Sequence, residues 1–150
     1  MSETRNAIVQ INIVAKRFDE TLKFYRLLGI DIPDPKTQPP GALHAPANMR
    51  SGIGFALDNE YLARIYNAAW RSEAGSSSVV LGVSLGSREE VDATYAKLVA
   101  AGYKSRQPPY DAFWGSRYAI VADPEGNDVG LMSQADDAYK YWPPVESPAP

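Results

Sequence analysis

The chain has 150 residues, with 15 basic and 18 acidic side chains, a formal net charge of −3 and a hydrophobic share of 45%. This length predicts one domain that buries its core without disulfides or a structural metal, and the mild charge does not indicate a nucleic-acid partner. With no Cys and a single His, His44, the chain cannot supply thiolate chemistry, Cys-based zinc sites or any site with two imidazoles.

The first half of the chain predicts a strand, a helix, two short strands and a second short helix. In the first strand, β-branched residues alternate with the amides of Gln10 and Asn12, which indicates one polar face. The first helix is expected to have Asp19 as its N-cap, Leu22, Tyr25 and Leu28 on one stripe, and Gly29 as its stop. In chain order, the expected bounds are Ala7–Val14, Asp19–Leu28, Ala42–Ala47, Ile53–Leu57 and Asn59–Asn67.

The second half repeats this pattern after a Gly-Ser segment at 75–78 that is expected to be flexible. Alternating residues predict a strand at 79–85, and Ser87 with Glu90 forms a capping box for a helix that ends at Gly102. Two further strands are expected, joined by the turn sequence Asp-Pro-Glu-Gly. Their expected bounds are Arg117–Ala122 and Asn127–Met132.

The two halves can be superimposed in sequence by one offset. A shift of 73 residues places Asp92 on Asp19 and Gly102 on Gly29. Any two amphipathic helices can be aligned in this way, so the strand before each helix and the hairpin after it are the stronger signs. Together they predict an internal repeat.

A more specific pattern lies near the C-terminal end. Residues 111–118 (Asp-Ala-Phe-Trp-Gly-Ser-Arg-Tyr) and 123–127 (Asp-Pro-Glu-Gly-Asn) resemble the last module of the vicinal oxygen chelate superfamily, which includes glyoxalase I, bleomycin-resistance proteins and extradiol dioxygenases. Residues 11–29, with Phe24 and Tyr25 in the predicted helix, resemble its first strand and helix. The resemblance implies an α+β fold of two βαβββ modules, whose curled mixed sheets surround a cavity with the helices outside, and a homodimer.

This resemblance also divides the chain. We expect a single domain over 1–150, with a first module at 6–74, a second module at 78–134 and a C-terminal extension at 135–150. The sequence leaves open whether the extension folds over the cavity or the dimer seam, or is disordered. The polar start and the short apolar runs predict a cytoplasmic protein that contacts neither nucleic acid nor membrane.

Enzymes of this superfamily hold a divalent metal through His or Glu on the first strand of each module and Glu on the last strand. The resemblance places these positions on or next to Gln10, near Val80, and on or next to Gly130. A slip of one residue brings in only Asn12, Leu81 or Val129. Because such metals favour imidazole and carboxylate ligands, we expect no metal and no other cofactor. The chain therefore resembles most the bleomycin-resistance proteins, which bind a small compound without a metal.

The expected cavity combines small or polar strand residues with aromatic loop residues. On the concave faces we expect Gln10, Asn12, Val80, Gly82, Ser84, Asp128 and Gly130. The candidate ligand-binding residues are Gln10, Asn12, His44, Trp70, Tyr110, Phe113, Trp114, Tyr118 and Asp128. Flat side chains stack on aromatic ligands at low conformational cost, and amides on a strand face need a partner. A core role for Trp114 and Tyr118 is the alternative.

Three functions follow from these features. The first is metal-independent binding of an aromatic or antibiotic-like compound in the cavity. The second is a metal-free lyase or isomerase in which His44, Tyr118 or Asp128 transfers a proton, with His44 the candidate catalytic residue unless it lies on the surface. The third is a catalytically silent, partner-binding fold. Asp58 and Glu60 resemble a helix cap more than a metal pair.

Overall fold

The computed structural model of the chain describes residues 6–37, 39–71, 78–124 and 126–142. The expected Gly-Ser segment, apart from its last residue, and the end of the expected extension, 143–150, lie outside these ranges. Within them the elements are β1 (Ala7–Ala15), α1 (Phe18–Leu27), β2 (His44–Pro46), β3 (Gly54–Asn59), α2 (Glu60–Tyr66), β4 (Val79–Ser84), α3 (Arg88–Ala100), β5 (Ser105–Asp111), β6 (Arg117–Ala122), β7 (Asp128–Met132) and a 3-10 turn (Asp137–Tyr139).

The described strands form one mixed sheet in the order β2-β3-β1-β4-β7-β6-β5. β1 runs parallel to β3 and antiparallel to β4, and β4 runs parallel to β7. The first strands of the two halves are therefore neighbours at the centre, which joins both halves into a single open sheet. The α+β class predicted from the sequence is confirmed.

The two halves meet with pseudo-twofold symmetry. Gln10 pairs with Gly82 and Asn12 pairs with Val80 across the β1–β4 junction. α1 and α3 start 70 residues apart, at 18 and 88, but end 73 residues apart, at 27 and 100. The offset of 73 found in the sequence thus describes the helix ends, whereas 70 relates the helix starts, because α3 is the longer helix.

The first half has fewer strands than the expected βαβββ pattern. The second half contributes β4, β7, β6 and β5, whereas the first contributes β1, β3 and β2. Among the described residues before β2, Lys36 forms an isolated bridge with His44. Residues 33–40 contain four prolines, which lack the N–H that a strand needs for its ladder.

Helix α1 differs from expectation at both ends. It begins at Phe18 with Arg17 in the N-cap position, so the prediction of Asp19 as N-cap is wrong. Asp19 lies in the first turn, where its charge favours the helix dipole. Leu28 follows the last helical residue and is 65% exposed, so the helix ends one residue earlier than predicted.

Helix α3 starts as the capping pattern predicts, with one change. Ser87 Oγ accepts a hydrogen bond from the Glu90 N–H (3.1 Å), while the Glu90 carboxylate accepts from the Gly86 N–H (2.9 Å). Val91 is fully buried on the helix face that meets the sheet. After the helix, Gly102 adopts a φ of +97°, which a glycine stop tolerates.

Strand β5 was not predicted from the sequence. It contains Pro108 and Pro109, which usually argue against a strand. The pairing with β6 shifts register between Gln107 and Tyr110, across the two prolines. Because β5 is the last strand of the sheet, only one side has to pair, and proline is tolerated there.

The helices cover opposite faces of the sheet. α1 and α3 pack on one face, over buried residues that include Leu57 and Leu131. α2 contacts β1 and β3 on the other face, where Val14, Val80 and Ile120 are buried. We call the α2 side the inner face. No helix within the described residues is long and apolar enough to span a membrane.

Candidate functional site

The register aligns the expected cavity residues in rows across the inner face. Gln10 pairs with Gly82, and Gly82 pairs with Gly130. One row further along, Asn12 pairs with Val80, and Val80 pairs with Asp128. Ser84 continues the alternation on β4. The expected concave-face residues, Gln10, Asn12, Val80, Gly82, Ser84, Asp128 and Gly130, therefore occupy alternate positions on three neighbouring strands.

Helix α2 and the segment after it fill one end of the inner face. Tyr66 and Trp70 are 6% and 4% exposed and pack in the same cluster as Val14 and Val80. The other end of the face, beyond Asn12, remains partly exposed. We call this partly exposed part of the inner face, formed by Gln10, Asn12, Gly54, Gly82 and Ser84, the groove.

Gln10 forms the floor of the groove between two glycines. A β-carbon at Gly82 would lie 3.2 Å from Gln10 Cβ, and one at Gly54 would lie 3.4 Å from Gln10 Cγ. Both neighbouring positions therefore lack a side chain beside the amide. The Gln10 side chain therefore packs against strand backbone on both sides, without a neighbouring side chain in either strand.

The groove amides form a directed chain. Gln10 Nε2 donates to Asn12 Oδ1 (2.6 Å), and Asn12 Nδ2 donates to Asp58 Oδ2 (2.7 Å). Because an ionised carboxylate only accepts, the Asn12 amide must turn its nitrogen to Asp58 and its oxygen to Gln10. The hydrogen-bonding pattern of both amides follows from this one carboxylate.

Asp58 is the buried centre of this network. Its side chain is 1% exposed, and its Oδ1 lies 2.6 Å from His44 Nδ1. Tyr66 donates its hydroxyl to Asp58 Oδ2 (3.2 Å). The cap of α2 is Asn59, whose Oδ1 accepts from the Leu62 N–H, so the interpretation of Asp58 as part of the helix cap is wrong.

His44 lies on β2 opposite Asp58, and its side chain is 35% exposed. It is therefore neither a freely solvated loop residue nor a core residue. The carboxylate fixes one edge of the imidazole ring, and the remaining ring surface faces solvent. Among the three candidate proton-transfer residues, His44 combines orientation with access.

Asp128 is held on the inner face by a different set of partners. Asn67 Nδ2 donates to its Oδ2 (3.0 Å), and Arg106 Nε lies 3.3 Å from its Oδ1 without the alignment of a hydrogen bond. Burial raises the pKa of the Asp128 carboxyl, although the charge of Arg106 and the Asn67 hydrogen bond oppose this. This carboxyl is closed to a ligand by its own partners.

Tyr118 lies inside a cluster of aromatic rings. The ring centroids of Trp114, Tyr110 and Tyr66 are 5.1, 6.1 and 6.3 Å from that of Tyr118. Tyr118 is 7% exposed, and burial, with the charges of Asp58 and Asp128, raises its pKa above the usual tyrosine value. The hydroxyl therefore stays protonated near neutral pH and is a poor proton carrier there.

The remaining aromatic candidates divide into core and border. Trp70 is buried beside Tyr66, and the Tyr110 hydroxyl donates to the Tyr66 carbonyl (3.1 Å). Phe113 and Trp114 are half-buried in the loop between β5 and β6, with centroids 5.2 Å apart. Phe113 and Trp114, together with the half-buried Tyr110, keep ring surface that a ligand can contact without rearrangement of the core.

A divalent metal does not fit this set of side chains. The positions that the resemblance assigned to ligands hold Gln10, Val80 and Gly130, an amide and two residues without a ligating side chain. In the described part of the chain, no three His, Asp or Glu side chains converge. Asp58 and Asp128 each bind their own partners. We therefore derive no chemical step through a metal.

Two surface hollows lie away from this network. One, beside α1, has a volume of about 400 Å³, and the other, near the start of α3, about 460 Å³. The first is lined by Asp19, Leu22, Lys23, Arg26 and Leu27. Neither contains a residue of the groove or a partner of Asp58, so neither carries the chemistry described above.

Sequence reasoning missed Asp58, Arg106 and Asn67 as parts of the inner-face network. For Asp58 a signal was present, because it follows Gly54 and Ala56 in the alternation of β3. Its pairing with His44 depends on how β2 registers with β3. No local sequence pattern predicts the register between β2 and β3.

Comparison with known proteins identifies relatives of this chain. The family model of the Glyoxalase/Bleomycin resistance protein/Dioxygenase superfamily matches residues 7–131. A superfamily member from Vibrio splendidus is 12% identical, with a TM-score of 0.56, and the match covers 86% of this chain and 99% of that one. No curated protein matches significantly.

Two further similar structures carry different names. A methylmalonyl-CoA epimerase from Streptomyces coelicolor, in complex with 2-nitronate-propionyl-CoA, is 19% identical with a TM-score of 0.53, over 86% of this chain and 97% of that one. An NAD-dependent benzaldehyde dehydrogenase from Legionella pneumophila is 18% identical with a TM-score of 0.55, over 85% and 97%. At these identities the likeness shows the fold alone.

Proposed function

Because the chain belongs to the Glyoxalase/Bleomycin resistance protein/Dioxygenase superfamily, we propose that it binds a small aromatic or antibiotic-like compound in the groove without a metal ion. The observation that carries the proposal is Gln10, an amide between the two glycines Gly54 and Gly82. A few oriented polar groups bordered by aromatic side chains are a common form of small-molecule site.

The Gln10 amide has hydrogen-bonding capacity to offer a ligand. Its Nε2 donates to Asn12, while its Oε1 has no partner among the described residues. Gln10 is only half-buried, so a ligand donor can reach this oxygen. A bound hydroxyl, amide or amine group would complete the amide chain that ends on Asp58.

Aromatic surface borders the groove on the side of the second half. Trp114 packs on Tyr118, whose hydroxyl lies above Gly130, the strand partner of Gly82. A half-buried indole in this place offers a flat apolar surface for an aromatic ring. Trp70 and Tyr118 support this wall from the core and do not contact the ligand in this proposal.

The fold itself is compatible with this use. The similar Streptomyces coelicolor structure holds a coenzyme A derivative, so one protein of similar fold binds a small organic molecule. The proposal for the present chain rests on its own groove residues, because the identity between the two chains is 19%.

A thermal-shift panel of bleomycin and other aromatic antibiotics tests the proposal. A compound at about one hundred times its Kd should raise the Tm of the wild type by roughly 5 °C or more. Gln10→Ala and Trp114→Ala should each remove most of this shift. Gln134→Ala, an exposed glutamine outside the groove, is the matched control and should keep it. Equal shifts in all four proteins would place the binding site elsewhere.

A further inference from the structure

His44 and Asp58 are direct cross-strand partners on β2 and β3. Nδ1 of the imidazole and Oδ1 of the carboxylate are 2.6 Å apart. The Asp58 side chain is 1% exposed and the His44 side chain 35% exposed. The carboxylate therefore holds the Nδ1 edge of the ring from the buried side, while Nε2 has no partner among the described residues.

The partners of Asp58 determine where the ring proton lies. Asp58 is surrounded by three groups that can donate, from His44, Asn12 and Tyr66. An ionised carboxylate accepts all three, which requires the proton of the neutral imidazole to be on Nδ1. Nε2 then carries a lone pair, as a general base requires.

The groove reaches the same carboxylate through Asn12. The Asn12 Nδ2 group donates one N–H to Asp58, and its second N–H has no partner among the described residues. β2 lies two strands from β1, about 10 Å, which a small organic molecule can span. A carbonyl oxygen of a bound compound can accept from this free N–H, which stabilises negative charge on that oxygen.

We propose that His44, oriented by Asp58, is a general base that activates water for the hydrolysis of an ester bound in the groove. This inference rests on the proposed function, because the groove has to hold the ester. Water is the available reactant, because the His44 side chain is 35% exposed to solvent. Hydrolysis consumes only water and the ester.

Hydrolysis would proceed through a tetrahedral intermediate. His44 Nε2 takes a proton from water while the water oxygen bonds to the carbonyl carbon and the C=O electron pair moves to the carbonyl oxygen. The tetrahedral intermediate then re-forms the carbonyl, and the C–O bond to the alcohol breaks. The alcohol oxygen takes the proton from Nε2, so the imidazole ends neutral and the products are an acid and an alcohol. Asp58 keeps its charge throughout and acts as a positioning residue.

The single His of the chain makes the test direct, since every imidazole signal comes from His44. Nitrogen-15 NMR of the wild type should show the tautomer with the proton on Nδ1. The wild type should hydrolyse p-nitrophenyl acetate at least about tenfold faster than an equal concentration of free imidazole. His44→Gln should fall to the uncatalysed rate.

Asp58→Asn tests whether Asp58 orients the His44 imidazole or only stabilises the fold. The amide has the shape of the carboxylate but can donate to Nδ1, so the ring should switch to the tautomer with the proton on Nε2. The hydrolysis rate should fall by about tenfold or more. Asp111→Asn, at an exposed carboxylate on β5, is the control and should change neither the tautomer nor the rate.

Two wild-type results would overturn the inference, whatever the variants do. These are a proton on Nε2 in the neutral ring, or hydrolysis no faster than with free imidazole. The proposed function is tested separately by the antibiotic panel. Compounds that bind the groove of a protein with an unreactive His44 would refute only this inference. A reactive His44 in a protein that binds none of the panel compounds would support the base, refute the antibiotic-like ligand class and restrict the groove to small esters.

Discussion

The Tyr118 hydroxyl lies directly above Gly130 on the neighbouring strand. A β-carbon at Gly130 would be 2.6 Å from Tyr118 Oη and 3.0 Å from its Cζ. The ring cannot easily retreat, because the rings of Tyr66, Tyr110 and Trp114 surround it. The absence of a side chain at position 130 is therefore what allows a tyrosine on the inner face of β6.

This contact predicts the effect of Gly130→Ala. The added methyl group should destabilise the protein by about 1–3 kcal/mol, as overpacking of a rigid core does. Urea unfolding measures the change. Gly54→Ala is the matched control on the same face, because its β-carbon would meet nothing closer than 3.4 Å. Adding Tyr118→Phe should recover part of the loss, and an unchanged loss would contradict the steric explanation.

Removal of the Asp58 carboxylate should destabilise the inner face strongly. Asp58→Ala leaves Tyr66, Asn12 and His44 without their shared acceptor, and the Tyr66 side chain is only 6% exposed. We expect a loss of about 3 kcal/mol or more in the free energy of unfolding. Urea denaturation provides the measurement.

Asp111→Ala provides the comparison for this loss. Asp111 pairs with Arg88 and Arg117, but its side chain is 51% exposed. Ion pairs of such an exposed side chain contribute about 1 kcal/mol or less to the free energy of unfolding. Losses of similar size in the two variants would contradict the central place assigned to Asp58.

The stability of the protein should depend on the ionisation of Asp128. Burial raises the pKa of this carboxyl in the folded state, against the opposing effects of Arg106 and Asn67. In the unfolded chain the pKa is about 3.9, so below that pH the carboxyl is protonated in both states and its contribution is fully present. As the pH rises towards the folded pKa, the unfolded state loses its proton first and is favoured. Asp128→Asn should therefore gain stability relative to the wild type across this window.

Urea unfolding between about pH 3 and 6 measures this difference. Asp111→Asn is the control with the opposite sign. Burial alone would raise the pKa of the Asp111 carboxyl, but hydrogen bonds and charges from Arg88 and Arg117 lower it. The free energy of unfolding of the wild type should therefore increase relative to that of Asp111→Asn as the pH rises. The same pH trend in both variants would contradict the assignment for Asp128.

Gly115→Ala should loosen the segment that follows β7. Gly115 has a φ of +99°, and a β-carbon there would collide with the carbonyl of Asp136. Gly115 also accepts the Asp136 N–H through its carbonyl (3.1 Å). We expect a loss of about 2 kcal/mol and faster proteolysis after Ser133. Gly29→Ala, at φ +96° with no atom within 4 Å, isolates the backbone cost and should lose only about 1 kcal/mol.

Much of the fold could be predicted because its signals are local. The capping residues of α3, the glycine after it and the bounds of β6 follow from patterns within a few residues, and each is confirmed. The predictions that fail are those in which the position of a residue in the fold outweighs its local sequence signal. β5 contains two prolines and still pairs, because it is an edge strand. Leu28 continues the helical stripe but lies beyond the end of α1.

The candidate site could be predicted only in part. Alternation alone assigned Gln10 and Asn12 to one face of β1, and the register confirms that they share it with Gly82 and Val80. The burial of Trp70 and the closure of one end of the inner face depend on where α2 packs, which no short pattern reports.

By itself, the sequence determined that the single His44 is the one imidazole that this chain can use, and that the positions expected to ligate a metal hold poor ligands. It also determined the strands and helices other than β5, because alternation and helical spacing act over a few residues. Only the tertiary structure decided that His44 meets Asp58, fourteen residues away, and that two amides lead to the same carboxylate. Such pairings depend on strand register, which the packing of the whole sheet determines.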